Sequence, residues 1–292
     1  MLTKVRSRSA FSLIEVLVSI SITGILLAII IPAVQAARSS ARRSTCQNKV
    51  RQLGVALASF ETSHRHFPSG KTTMSRAQPQ FSWSAQLLPF IEQEALWTQL
   101  KEAADKPVED MRPVPGTAVL LAAVQCPSDS ATVKLQRSSK ANGTYVALGD
   151  YLGVAGQNHL SRDGVFFLDS KTTTGAIRDG LSNTLFVGER PPSADNNFGW
   201  WFTGKGQDGT GNLDLFLGME EVNSGLEASL NELDAGPYHF RNGTPEAVQS
   251  VFHFWSYHSG GANFLFGDGS VRLLSYETDH KVIRDMSTRS GN

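Results

Sequence analysis

From Val16 to Val34 the chain runs nineteen residues without a charged side chain. At 1.5 Å per residue a helix of that length spans about 28 Å, one hydrocarbon thickness, and nothing later in the chain is as long and as apolar. The pattern then changes rather than ends. Ala33, Ala36, Ala37 and Ala41 favour helix, and Val50, Leu53, Leu57 and Phe60 recur at spacings of three, four and three, which makes one apolar stripe. Pro68 and Gly70 are expected to end the helix. Pro32 withholds an N–H from the carbonyl of Ala28, so a kink is expected there. The stripe needs a partner, most simply a sheet of the same chain.

Beyond Gly70 the signals are mixed. Trp83 to Ala104 reads as a helical segment interrupted at Pro89, with Ile91, Leu96, Trp97 and Leu100 on its buried side. Strands are expected at 145–154, 164–168, 184–187, 198–202 and 248–257, and at 262–274 folded back through Gly267-Asp268-Gly269. Runs of Gly, Asn and Asp separate them, and the acidic, glycine-rich segment 204–237 reads as an excursion from the sheet. A long helix on a mainly antiparallel sheet is an α+β architecture.

Composition narrows the class. Hydrophobic residues make up 40% and charged residues 18% of 292, which excludes a disordered tail, a disulfide scaffold and a collagen-like repeat. The formal net charge of zero argues against a nucleic-acid binder held by bulk charge. It hides a segregation: residues 1–51 carry eight basic groups against Glu15 alone, net +7, so residues 52–292 carry net −7. A basic end on an acidic body fits a membrane-proximal end and a solvated head.

The apolar run is either a retained span or a cleaved signal. Val34-Gln35-Ala36 offers a site for ordinary signal cleavage, which would leave a chain beginning near Ala37. Against it stands Glu15, just before the run. An acidic group at the centre of a spanning helix costs about 2.5 to 3.5 kcal/mol on insertion scales. A disposable signal has no use for it.

Residues Ala10-Phe11-Ser12-Leu13-Ile14-Glu15-Val16-Leu17-Val18 resemble the processing and methylation motif of type IV prepilins and pseudopilins. The resemblance implies a prepilin peptidase that cuts between Ala10 and Phe11 on the cytoplasmic side and methylates the new amine. The leader would be 1–10, the retained helix 11–68 and the extracytoplasmic head 69–292. Glu15 becomes the fifth mature residue, the family's assembly position, and Pro32 lies where many pilins kink. Ala10 departs from the glycine usual before the cut.

Most of the chain carries a second resemblance. CQNKVRQLGVALASFETSHRHFPSG, SWSAQLLPFIEQEALW, CPSD, DGLSNTLFVGE and HSGGANFLFGDGSVRLL are similar to a bacterial prepilin-like family, domain of unknown function 1559. Its C-terminal motif, His then nine residues then Asp-Gly, is matched by His258, Asp268 and Gly269. The pilin-like fold is implied with it; a biochemical activity is not.

No motif carries convincing chemistry, so neither a catalytic residue nor a cofactor nor a metal is expected. The glycines form no phosphate loop, no helical histidine pair presents a zinc site, and Ser, His and Asp lack nucleophile-elbow spacing. Asp208, Asn212 and Asp214 offer oxygens without EF-hand spacing and read as a solvated turn. His64 and His66 read as helix-terminal packing. All five tryptophans lie in the head and read as core, with one of Trp200 and Trp201 facing outward if the strand is extended. Asp268-Gly269 suits a tight hairpin turn, and His258 is expected to hydrogen-bond that turn or the strand entering it.

Cys46 and Cys126 are the only cysteines, an even pair and a candidate disulfide in an oxidising compartment. Two functions from different classes fit. One is a pilin or pseudopilin-like structural subunit, single-pass in the inner membrane, of the kind that builds type IV pili or type II secretion-like assemblies, with other subunits, lipid and the peptidase as partners. The other is an anchored or secreted ligand-binding domain or enzyme that uses the helix only for delivery. Arg38, Arg42, Arg43, Lys49 and Arg51 follow the span, so flanking charge alone would place the head in the cytoplasm. The prepilin motif is the more specific signal and needs a cytoplasmic N-terminus.

Overall fold

The computed structural model describes residues 13–73, 81–104, 118–139, 143, 145–204, 210–226 and 230–291. Helix α1, Leu13–His64, contains the whole apolar run. The chain divides into two compact units, Met1–Arg42 and Arg43–Asn292.

In the first unit the large apolar side chains from Leu13 to Val34 are exposed, and the helix is long and apolar enough to cross a membrane. The three hydroxyls within the apolar run Val16 to Val34 bond to the helix's own backbone. Ser19 donates to the Glu15 carbonyl, Ser21 to that of Leu17 and Thr23 to that of Ser19, at 2.7 to 2.8 Å. Such bonding four residues back leaves no hydroxyl proton to be solvated by lipid. The helix continues through Pro32.

In the second unit α1 buries Cys46, Val50, Leu53, Gly54, Ala56, Leu57 and Phe60, the stripe that the spacing predicts. The helix stops at His64, four residues before Pro68, because Arg65 turns left-handed at φ 65° while its N–H still reaches the Glu61 carbonyl at 2.7 Å. His64 stacks on Phe60 with ring centroids 4.0 Å apart, so it packs the helix end.

Short elements follow. Helix α2, Trp83–Gln86, is capped by Ser82, whose hydroxyl accepts from the Ala85 N–H. A 3-10 turn over Leu88–Ile91 holds Pro89 in its first turn, and α3 is Glu94–Ala104. Strands β1, Gln136–Arg137, and β2, Tyr145–Val146, form a small ladder. The main sheet is built from β3 (Tyr151–Gly156), β4 (Leu185–Glu189), β5 (Phe216–Gly218), and later β8 (Gly261–Phe266) and β9 (Val271–Ser275). Between them β6, Glu220–Glu221, pairs with β7, Tyr238–His239, and α4, His280–Ser287, closes the chain with Asp279 as its N-cap.

The strand order is β5-β3-β4-β8-β9, antiparallel throughout except where β3 and β5 run parallel. The fold is α+β, as the pattern predicts. Each face of the sheet carries a core. The α1 stripe packs with Trp83, Phe166, Phe186 and Leu265 on one side. Leu152, Val154, Leu185, Phe264 and Phe266 pack with Phe240, Phe252, Phe254 and Ile283 on the other. Each such side chain contributes about 1.5 to 3 kcal/mol when fully buried. Gly54 sets how closely α1 approaches, since a Cβ there would stand 2.9 Å from Leu265 Cδ1.

Three expected strands are not strands. Residues 164–168 lie as coil against β3, where Gly164 donates to Ala155 and Val165 and Phe166 both donate to Val154. Phe166 fills the space that Gly153 leaves, for a Cβ on Gly153 would lie 2.7 Å from its Cβ. Residues 198–202 form no ladder: Trp200 makes an isolated bridge with Leu148, and the Phe202 carbonyl accepts the Ser82 N–H at 3.0 Å. Residues 248–257 begin as a 3-10 helix over Val248–Phe252, which lets consecutive Val251 and Phe252 both enter the core. Conversely, 204–237 is not wholly an excursion, since β5 lies within it and joins the sheet edge.

Candidate functional site

Glu15 sits in the first turn of α1, where a carboxylate complements the partial positive charge of the helix N-terminus. Ala10 and Phe11, the expected cleavage and methylation positions, lie outside the described residues, as does Asp208. Asn212 and Asp214 are buried rather than solvated. Asn212 Oδ1 accepts the Leu213 N–H at 2.8 Å and Asp214 Oδ1 accepts the Gly199 N–H at 3.2 Å, so these oxygens brace the chain entering β5.

Asp268 and Gly269 form the turn between β8 and β9. Gly269 takes φ 82°, and Asp268 Oδ1 accepts the Ser270 N–H at 2.9 Å. His258 does not hydrogen-bond that turn. It precedes β8 whereas Asp268 follows it, so a six-residue strand of roughly 20 Å separates them. The imidazole instead turns inward. Its Nε2–H donates to Glu189 Oε1 at 3.2 Å, and Nε2 stands 3.6 Å from Cys126 Sγ. The ring reaches β8 only through Glu189.

Glu189 ends β4, a strand buried along its whole length. Its carboxylate is held by Asn263 on β8. The Asn263 backbone N–H donates to Oε2 at 2.7 Å, and Nδ2 lies 3.1 and 3.0 Å from the two oxygens. Gln47 of α1 donates to Asn263 Oδ1 at 3.0 Å, so helix and sheet meet through a polar chain here. Beside it Cys46 of α1 is bonded to Cys126, across a sequence separation of 80. Closing that loop restricts the unfolded chain by about 4.5 kcal/mol on the chain-entropy account.

The CPSD turn that carries Cys126 is anchored by Asp150. Asp150 Oδ2 accepts the Cys126 N–H at 2.6 Å and the Thr132 hydroxyl at 2.9 Å. Burial, and then the neighbouring charge of Asp129, hold the Asp150 carboxyl well above the ordinary carboxylate range. Burial likewise raises Asp129, whose Oδ1 accepts the Ala131 N–H. Lys49 donates to the Gln125 carbonyl at 2.9 Å; burial lowers its pKa, and attraction to Asp150 offsets part of that.

One ligand atom from each of Cys46, Cys126, Glu189 and His258 lies within 4.8 Å of the others, and all four residues are buried. Glu189 and Asn263 escaped the sequence reading as individuals. The available signal was an acidic residue closing the apolar run Leu185-Phe186-Val187-Gly188, since a carboxylate there must find buried donors.

Residues 35–281 match the family described as Protein of unknown function (DUF1559). Residues 5–31 match the prokaryotic N-terminal methylation motif. No curated protein and no solved structure matches the chain.

Proposed function

Because this chain belongs to the DUF1559 family and carries the prokaryotic N-terminal methylation motif, we propose that it is a membrane-anchored structural subunit of type IV pilin-like kind. A prepilin peptidase removes residues 1–10 and methylates Phe11, and the apolar helix stays on the mature protein. The observation that carries this reading is the motif directly joined to an exposed apolar helix with Glu15 in its first turn. The Cys46–Cys126 bond supports an extracytoplasmic head, since disulfides persist in oxidising compartments.

Glu15 acts between subunits in this reading. Cleavage gives Phe11 a positive amine close to the apolar segment, where an isolated charge is costly. A neighbouring subunit's Glu15 neutralises that amine and fixes axial register, a role for which buried ionic pairs are better attested than for net stability. The test is Glu15→Ala in cells that hold the peptidase. Insertion, cleavage and head folding are expected to persist while cross-linked assemblies fall. Assemblies of the variant at the wild-type level would remove Glu15 from the contact between subunits, and a wild type that gives no cross-linked assemblies would overturn the subunit reading and favour a solitary anchored domain.

A further inference from the structure

We propose that, when Cys46 and Cys126 are reduced, the two cysteines, His258 and Glu189 form a closed zinc site in the head. This stands apart from the subunit reading and departs from the sequence-based expectation of no metal. The four residues come from four places in the fold: α1, the CPSD turn, the end of β4 and the approach to β8. All are at most 6% exposed, and their ligand atoms lie within 4.8 Å of one another.

Two of the ligand separations are close to those of a tetrahedral site. With Zn–S about 2.3 Å and Zn–N about 2.05 Å, adjacent sulfur and nitrogen ligands stand about 3.6 Å apart, and nitrogen and oxygen about 3.4 Å. Cys126 Sγ and His258 Nε2 are 3.6 Å apart, and Nε2 and Glu189 Oε1 are 3.2 Å apart. Two thiolates on zinc stand about 3.8 Å apart, a separation that sulfurs released from their bond can take. The outer contacts are also in place. Asn263 orients Glu189 through its N–H and Nδ2, Gln47 orients Asn263, and the backbone N–H of His258 donates to the Ser256 hydroxyl at 3.0 Å, which holds the chain that carries the imidazole. Such partners fix ligand rotamers before the metal arrives.

The donor set selects the ion. Two thiolates and an imidazole favour zinc over magnesium or calcium, which take oxygen ligands. Four protein ligands leave no open position for water, so the site is structural. Its formal charge of −1 is smaller than the −2 of a four-cysteine site.

Bond and metal exclude each other. Reduction adds two electrons and two protons to the Cys46–Cys126 bond and gives two thiols. With a trialkylphosphine, water supplies the protons and its oxygen leaves as phosphine oxide. Zinc then displaces both thiol protons, while the imidazole proton moves from Nε2 to Nδ1. Zinc thus ties all four segments in the reduced chain, whereas in the oxidised chain the disulfide ties α1 to the CPSD turn and the His258–Glu189 hydrogen bond joins the other two.

The test uses the full chain in detergent micelles, purified with the phosphine present and titrated with cobalt as a spectroscopic stand-in for zinc. The expected result is one cobalt per chain with thiolate-to-cobalt charge transfer and tetrahedral visible bands, both abolished by stoichiometric zinc. The oxidised chain should show neither. Glu189→Gln and His258→Asn should each weaken binding by about tenfold or more, whereas His64→Ala should not. Far-ultraviolet circular dichroism checks that each variant is folded, and the reduced wild type tests the site without any variant. Absence of charge transfer in the reduced wild type, or unchanged affinity in folded Glu189→Gln, would overturn the proposal.

Discussion

The carboxylate of Glu189, at the end of β4, accepts the backbone N–H of Asn263 on β8 at 2.7 Å, with the Asn263 amide within 3.1 Å of both its oxygens. A pair so enclosed constrains two strands and the residues that lean on them.

Glu189→Ala is therefore expected to cost the oxidised head about 3 to 5 kcal/mol, because Asn263 and His258 lose a buried anionic acceptor together. Glu189→Gln keeps the shape and one acceptor, and should cost about 1 to 3 kcal/mol. Urea unfolding of both variants with the disulfide intact checks the order; equal losses would contradict it.

His258→Ala and Asp268→Ala should weaken the head independently. His258 loses a buried bond to a charged partner, about 1.5 to 3 kcal/mol, while Asp268 loses an exposed turn contact, about 0.5 to 1.5 kcal/mol. With β8 between them, the double variant should equal the sum of the singles to within about 0.5 kcal/mol. A larger coupling, measured by the same unfolding cycle, would mean that the two motif residues act as one unit.

Acid should loosen the head through His253. Burial pushes its imidazole down to about 4 from 6.5, and its Nδ1–H donates to the Phe254 carbonyl at 3.2 Å. The unfolded chain then binds more protons than the folded one between those values. This contribution is complete above pH 6.5 and falls away toward pH 4, by about 3 kcal/mol over the window. Asp150 works with the opposite sign: its raised carboxyl keeps a proton in the fold, so its contribution is lost as pH rises above 3.8 toward the folded value. The urea midpoint of His253→Gln should therefore fall less than the wild type's between pH 7 and pH 4.5. An identical fall would remove His253 from the account.

The sequence made some of this legible and hid the rest for physical reasons. The α1 stripe, the β8–β9 hairpin and its Asp268-Gly269 turn follow from local periodicity and turn chemistry, and the structure has them. Residues 164–168 and 248–257 have strand composition, yet their backbone is set by what they fill: the gap above Gly153 and the far core of the sheet. Strand β5 sits in a segment whose glycines and acids read as solvated, and it is buried by distant β3. The same holds at the cluster. Cys46, Cys126 and His258 were visible as residues, but Glu189 and Asn263 become partners only through the β4–β8 register, with Gly188 opposite Phe264. The inward turn of His258, away from the hairpin expected to hold it, is likewise a tertiary choice.

The claim that the apolar helix belongs to the mature protein is tested most directly by N-terminal mass spectrometry of chain recovered from the membranes of cells that hold a prepilin peptidase. The account predicts a first residue of N-methylated Phe11, with Glu15 fifth and the whole helix Leu13–His64 retained. A chain beginning near Ala37 would show ordinary signal cleavage and contradict it.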